Sequence, residues 1–295
     1  MKKAIIYVFS GSGNTLKVAN LFKDQFVKND IETEVVRLTI DVEPKDDLTE
    51  YDYVGIGYPV HGFNAPYNVL EFAKKIKKQS KKVNYFIIKT GGEPLHVNDV
   101  SSYKLDAILK RRNFNLTNEY HYAMPYNMIF RHTDARAVQM HETVDALAPI
   151  EAQEVVDGIP HRFKYHFFGH TFAFVLRIEH PAMKVNGKLF FKVDQEKCIH
   201  CGLCVKNCSV HNITMNEDGS FTFGNKCIMC TACSFNCPKD AFNIGMLQGW
   251  KVNGKYNIKN PDLTQEDKHS KYCKKSYARY FKEAAEKIEA NKQKE

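Results

Sequence analysis

Along the first 160 residues, apolar positions follow two rhythms in turn. Lys3–Phe9 reads as one continuous apolar run, the pattern of a strand covered on both faces. Asn14–Lys28 then repeats at helical spacing, with Val18, Phe22 and Phe26 on one face. Ile31–Leu38 alternates, and Tyr51–Gly57 reads as a strand again. Pro66 suits the first position of a helix whose buried stripe is Val69, Phe72, Ala73 and Ile76. Val83–Lys89 predicts a fourth strand, Asn98–Arg112 a helix, and Phe114–His121 a weaker fifth strand. A last helical pattern covers Asp134–Val156, where Pro149 is expected to kink or split it. Alternating strands and helices imply an α/β fold, a parallel sheet with helices on both faces and right-handed crossovers. Five strands suit a doubly wound sheet of order 2-1-3-4-5.

Beyond residue 160 the rhythm is lost. Residues 161–190 form a connector rich in aromatics and histidine. Packing between domains is the plainer reading of it. A metal or haem site built from His161, His166, His170 and His180 is the sharper one, but only His166 and His170 share a helical face. Residues 198–216 and 227–245 repeat each other at an offset of 29, so 191–250 is expected to be a small duplicated domain. Residues 251–295 read as a basic helical tail, Lys/Glu-rich from Tyr272 and exposed or frayed at its end.

Composition sharpens this picture in three ways. A length of 295 residues with 43% apolar content suits two domains and excludes extensive disorder. No apolar run approaches the ~20 residues that span a bilayer, and residues 1–10 carry no cleavage-site pattern. Eight of the nine cysteines fall between Cys198 and Cys237, which in a reducing cytoplasm points to metal and not disulfides. The expected location is therefore cytoplasmic. Charge is uneven. Residues 1–160 carry 20 Lys and Arg against 21 Asp and Glu, whereas 161–295 carry 22 against 13. The excess lies in 161–197 and 251–295, and no nucleic-acid motif accompanies it.

Each cysteine run reads C-x2-C-x2-C-x3-C. Two intervening residues let thiolates of one tight loop reach adjacent corners of an iron–sulfur cubane, and the fourth cysteine ligates the other cluster in two-cluster ferredoxins. Cys198, Cys201, Cys204 and Cys237 are therefore expected to hold cluster I, and Cys227, Cys230, Cys233 and Cys208 cluster II. A zinc ribbon would leave the third cysteine of each run idle. Cys237 is followed by Pro238, but Cys208 by Ser209. The Ser209 N–H or hydroxyl is a candidate donor to cluster II, a contact that would raise its potential, or it simply turns the chain.

Ser10-Gly11-Ser12-Gly13-Asn14-Thr15 lies between the first strand and the first helix. Leu16 stands where a dinucleotide fingerprint needs its third glycine, so the loop suits a terminal phosphate instead. Two more loops leave neighbouring strand ends: Gly57-Tyr58-Pro59-Val60-His61-Gly62-Phe63-Asn64-Ala65-Pro66 and Lys89-Thr90-Gly91-Gly92-Glu93-Pro94-Leu95-His96. Ligands of such sheets bind between loops of this kind. Tyr58, His61 and Phe63 are candidates to stack on a planar ring, and Gly91 and Gly92 permit close backbone approach.

With this loop and the double cysteine run, residues 1 to about 245 resemble the flavodoxin–ferredoxin fusion proteins of anaerobes, the EFR-type ferredoxins. The resemblance implies a flavodoxin-like domain over 1–160 that binds FMN. Its phosphate would lie on Ser10, Ser12, Gly13, Asn14 and Thr15, and its ring between loops 57–66 and 89–96. Two 4Fe-4S clusters would complete an electron-transfer relay, with redox proteins such as an acidic ferredoxin or flavodoxin as partners. A flavin-dependent reductase of a small substrate, fed by the clusters, is the alternative.

Overall fold

The computed structural model describes residues 1–165, 171, 173–174 and 179–294. Five strands, β1 (Lys2–Val8), β2 (Ile31–Arg37), β3 (Tyr53–Pro59), β4 (Val83–Gly91) and β5 (Phe114–Ala123), form one parallel sheet of order β2-β1-β3-β4-β5. The unbroken apolar run of β1 has a direct cause. Successive side chains point to opposite faces, and both faces are covered. Ile5 and Tyr7 join the core under α2 (Tyr67–Lys75) and α3 (Tyr103–Lys110). Ala4, Ile6 and Val8 join the core under α1 (Asn14–Lys28) and α4 (Asp134–Val156).

Three sequence expectations need adjustment here. The α4 helix runs through Pro149 without being split, because Leu147, Ala148 and Ala152 on either side are buried in the core. The helix expected from Asn98 starts as a 3-10 turn, His96–Ser102, and becomes α3 only at Tyr103. Its carbonyl and hydroxyl groups are drawn inward: the fully buried Lys89 Nζ donates to Asp99 O (3.0 Å) and pairs with Glu119 (3.2 Å). The tail is not helical throughout either. Residues 251–273 strap across the sheet domain, where the Arg131 guanidinium donates to the carbonyls of Asn253, Gly254 and Lys255. The terminal helix, α8 (Lys274–Lys292), then packs Tyr277, Tyr280 and Ala284 against α4 and the end of β5.

The second domain is built from α5 (Glu179–Leu189) and two antiparallel pairs, β6 (Phe191–Val193) with β9 (Phe242–Ile244) and β7 (Ile213–Met215) with β8 (Phe221–Phe223). Two four-residue helices, α6 (Leu203–Lys206) and α7 (Ala232–Phe235), follow the cysteine loops. The duplication extends to the backbone. His200, Gly202 and His211 have positive φ, and so do Met229, Thr231 and Asp240, each 29 residues on. In the connector, His161 stacks on Tyr120 (5.1 Å) and bonds the Glu119 carbonyl through Nδ1 (2.7 Å), a packing role at the sheet edge. His166 and His170 lie outside the described residues. No helix among the described residues is long and apolar enough to cross a membrane.

Candidate functional site

The eight cysteines of the repeats form two groups, each around its own cavity. Cys198, Cys201, Cys204 and Cys237 line the first, with Ile199, Leu203, Phe221 and Phe242. Cys208, Cys227, Cys230 and Cys233 line the second, with Phe191, Val210, Asn212 and Ile213. In each group three thiols come from one loop, and the fourth arrives from the other run. The groups differ in depth. Cys201 is exposed, whereas Cys227 and Cys233 are buried. We call the first group outer and the second inner.

Backbone donors already point at the sulfurs in matching pairs. His200 N reaches Cys198 Sγ at 3.4 Å, as Met229 N reaches Cys227 Sγ. Asn212 N reaches Cys208 Sγ at 3.2 Å, and Ala241 N reaches Cys237 Sγ at 3.3 Å. The positive φ values of His200 and Met229 are what turn these amides inward. Burial pushes the Cys204 and Cys227 thiols up to about 11 and Cys230 up to about 12. Thiolates at such depth need a strong positive charge, and a coordinating metal deprotonates a thiol outright. The donor set, its apolar walls and its inward amides therefore fit iron–sulfur cubanes. Ser209 turns the chain with its carbonyl accepting from Ile40 N (2.7 Å); it is not among the residues lining the inner cavity, and its buried hydroxyl has no hydrogen-bond partner among the described residues.

The phosphate-loop candidates gather at the carboxyl end of the sheet. Gly13 takes φ 100°, and the space a Cβ would fill there is open. The start of α1 carries no side-chain cap and no acid in its first turn, so its amides are available to an anion. Ser12 and Asn14 are half-buried beside it, and Thr15 Oγ1 bonds Thr90 Oγ1 at 2.8 Å. These features fit the phosphate of FMN. The expected ring contacts are placed less uniformly. His61 and Phe63 stand in the loop after β3, whereas Tyr58 is fully buried in the core. The glycines at the end of β4 serve internal packing: a Cβ on Gly92 would collide with the Tyr126 ring, and one on Gly91 would meet His121.

The inner thiol group sits directly on these loops, a contact the sequence did not foretell. A Cβ on Gly11 would meet the Cys230 carbonyl at 2.7 Å. Asn127, in the loop after β5, donates to that same carbonyl (3.0 Å) and accepts from the Thr231 hydroxyl (3.0 Å). Asn236 Nδ2 reaches Gly11 O at 3.4 Å. The His61 ring lies against the Ile228 backbone, and burial lowers its pKa to about 4. Val210 and Ile228 enter the hydrophobic core of the first domain. Cys227–Cys233 thus packs against both the phosphate loop and the loop after β3.

A family profile described as a 4Fe-4S dicluster domain matches residues 183–242. Ferredoxin-3 of Nostoc sp. is 29% identical over 75 residues, 19% of this chain and 77% of the relative. Among solved structures, the flavodoxin of Streptococcus pneumonia TIGR4 aligns with 53% of this chain and 99% of its own, at 14% identity and a TM-score of 0.39. A short-chain flavodoxin associated with a bacterial microcompartment aligns with 53% of this chain and 98% of its own, at 14% identity and a TM-score of 0.38. TM-scores this low carry no argument, and the flavodoxin-like fold rests on the strand order itself. The chain joins a flavodoxin-like domain to a 4Fe-4S ferredoxin-type domain, the make-up of an electron-transfer iron–sulfur flavoprotein.

Proposed function

We propose that this iron–sulfur flavoprotein is a relay between one-electron and two-electron carriers, with two 4Fe-4S clusters and FMN in series in one chain. Cys198, Cys201, Cys204 and Cys237 hold one cluster, and Cys208, Cys227, Cys230 and Cys233 the other. Ser10, Ser12, Gly13, Asn14 and Thr15 take the FMN phosphate, and the loop after β3 with Thr90 flanks the ring. The clusters supply single-electron steps, and FMN supplies steps of one or two electrons.

The observation that carries this reading is the contact between Gly11 and the Cys230 carbonyl. It puts the backbone of the inner cysteine loop against the phosphate loop, while Cys201 of the outer group is exposed to a partner. Redox proteins are the expected partners, and a reducing cytoplasm suits nine free cysteines.

The test is cofactor analysis of anaerobically purified protein. About eight irons and eight sulfides per chain are expected, with one FMN. Changing Ser12 and Thr15 together to alanine is expected to release the flavin and leave the iron in place. Four irons, zinc in their place, or unchanged flavin in the double variant would each contradict the assignment.

A further inference from the structure

The two thiol groups are related by the 29-residue repeat, yet polar side chains break their symmetry, and one that lines the inner cavity is a buried donor without a partner. Asn212 is only 3% exposed and lines the inner cavity. Its repeat counterpart is Ala241, which lines the outer cavity. The backbone at the two positions does the same work: Asn212 N donates to Cys208 Sγ and Ala241 N to Cys237 Sγ. Only the side chains differ.

The asparagine side chain is half used. Its Oδ1 accepts from Lys226 N at 2.6 Å, which fixes the amide plane. Its Nδ2 is buried and has no hydrogen-bond partner. A buried amide donor left in that state is costly, so a partner is to be expected in the loaded protein. A Cβ placed on Gly187 would lie 2.8 Å from Cys227 Sγ and 3.8 Å from Asn212 Nδ2, so the free donor and this thiol border the same small space.

We propose that Asn212 Nδ2–H donates a hydrogen bond to the sulfur of the inner cluster, at Cys227 Sγ or a neighbouring sulfide, and thereby raises that cluster's reduction potential. The physics sets the sign. Reduction adds negative charge, and a donor at sulfur favours the more negative state. Burial acts the other way, and two of the inner cysteines, Cys227 and Cys233, are buried whereas none of the outer four is. Asn212 offsets that burial at the inner site, and Ala241 supplies no such donor at the outer site. The inner cluster then accepts an electron from the outer one without an uphill step imposed by its depth.

The inference rests on the proposed ligand groups, and the experiment separates the two. Anaerobic potentiometric titration followed by EPR gives the midpoint of each cluster in the wild type, Asn212→Leu and Asn212→Asp. Leucine removes the donor at similar volume. Aspartate keeps the acceptor for Lys226 N and replaces the donor with an oxygen. Both are expected to disfavour reduction of one cluster by about tenfold, 59 mV for one electron, and leave the other unchanged. Unchanged midpoints at full iron content would overturn the proposal. Pulsed EPR of reduced wild type labelled with ¹⁵N at the asparagine side-chain amide guards against variants that fail to assemble. A ¹⁵N coupling at one cluster is expected, and its absence would overturn the proposal whatever the variants do. Failure to find two cluster signals in the wild type would instead strike the ligand assignment.

Discussion

His61 shows how a single side chain joins the two domains. Its ring lies against the Ile228 backbone between two cysteines of the inner group and meets Phe9 edge-on at 6.1 Å. Burial holds its pKa at about 4, below the ordinary histidine value of 6.5. His132 and His141 are lowered to about 4 and His121 to about 3, again chiefly by burial. A depressed histidine pKa gives stability that is complete above 6.5 and is lost as pH falls toward the folded-state value, because the unfolded chain binds more protons in that window. The urea midpoint under argon is therefore expected to fall between pH 7.5 and pH 5.5, and by less in His61→Asn. An equal fall in that variant would mean that His61 does not contribute. The sequence marked His61 for its place in a loop after a strand, which is local information. It also marked Gly11 as part of a phosphate turn. That Gly11 is needed for the approach of Cys230 was not legible, because the two are distant in sequence and only the docked fold brings them together.

Elements with a strong period were legible at their centres. The β1, α1, β2 and α4 patterns match what forms, since each faces a core that demands one period along its whole length. The tail helix was read only as Lys/Glu-rich and exposed or frayed at its last residues, and its packed face went unmarked because charge dominates its composition. Its stripe of Tyr277, Tyr280 and Ala284 follows the i, i+3, i+7 spacing and was the signal available. Lys287 strengthens the contact through Glu151 (3.1 Å) and Glu154 (2.8 Å). Ending the chain after Tyr272 would uncover the faces of α4 and β5 that α8 covers. Each large side chain so uncovered is worth up to about 1.5–3 kcal/mol. The truncated protein is expected to melt several degrees lower, with near-normal iron, because the cysteine groups contact none of α8. An unchanged melting temperature would show the helix to be only loosely attached.

At the scale of the whole molecule, the domain composition was legible and the docking was not. Cysteine spacing and a glycine-rich turn are written locally, whereas the surface between domains is shared among several separate loops. The outer group, with exposed Cys201 and with Ile199 and Leu203 beside it, is the face open to a partner. On the proposed reading the basic excess of residues 161–197 and 251–295 would favour an acidic donor, and salt at 0.1 M screens such attraction within about 10 Å. The central claim, that electrons pass through the cysteine-held clusters to the flavin, is tested most directly by stopped-flow mixing under argon with a reduced acidic ferredoxin. Cluster and flavin absorbance are followed together, in the wild type and in Cys237→Ala, which damages the outer group. The account predicts that cluster bleaching precedes flavin reduction, that the rate falls as ionic strength rises, and that the variant reduces its flavin far more slowly. Flavin reduction at the wild-type rate in Cys237→Ala would contradict the relay and leave direct access to the flavin as the route.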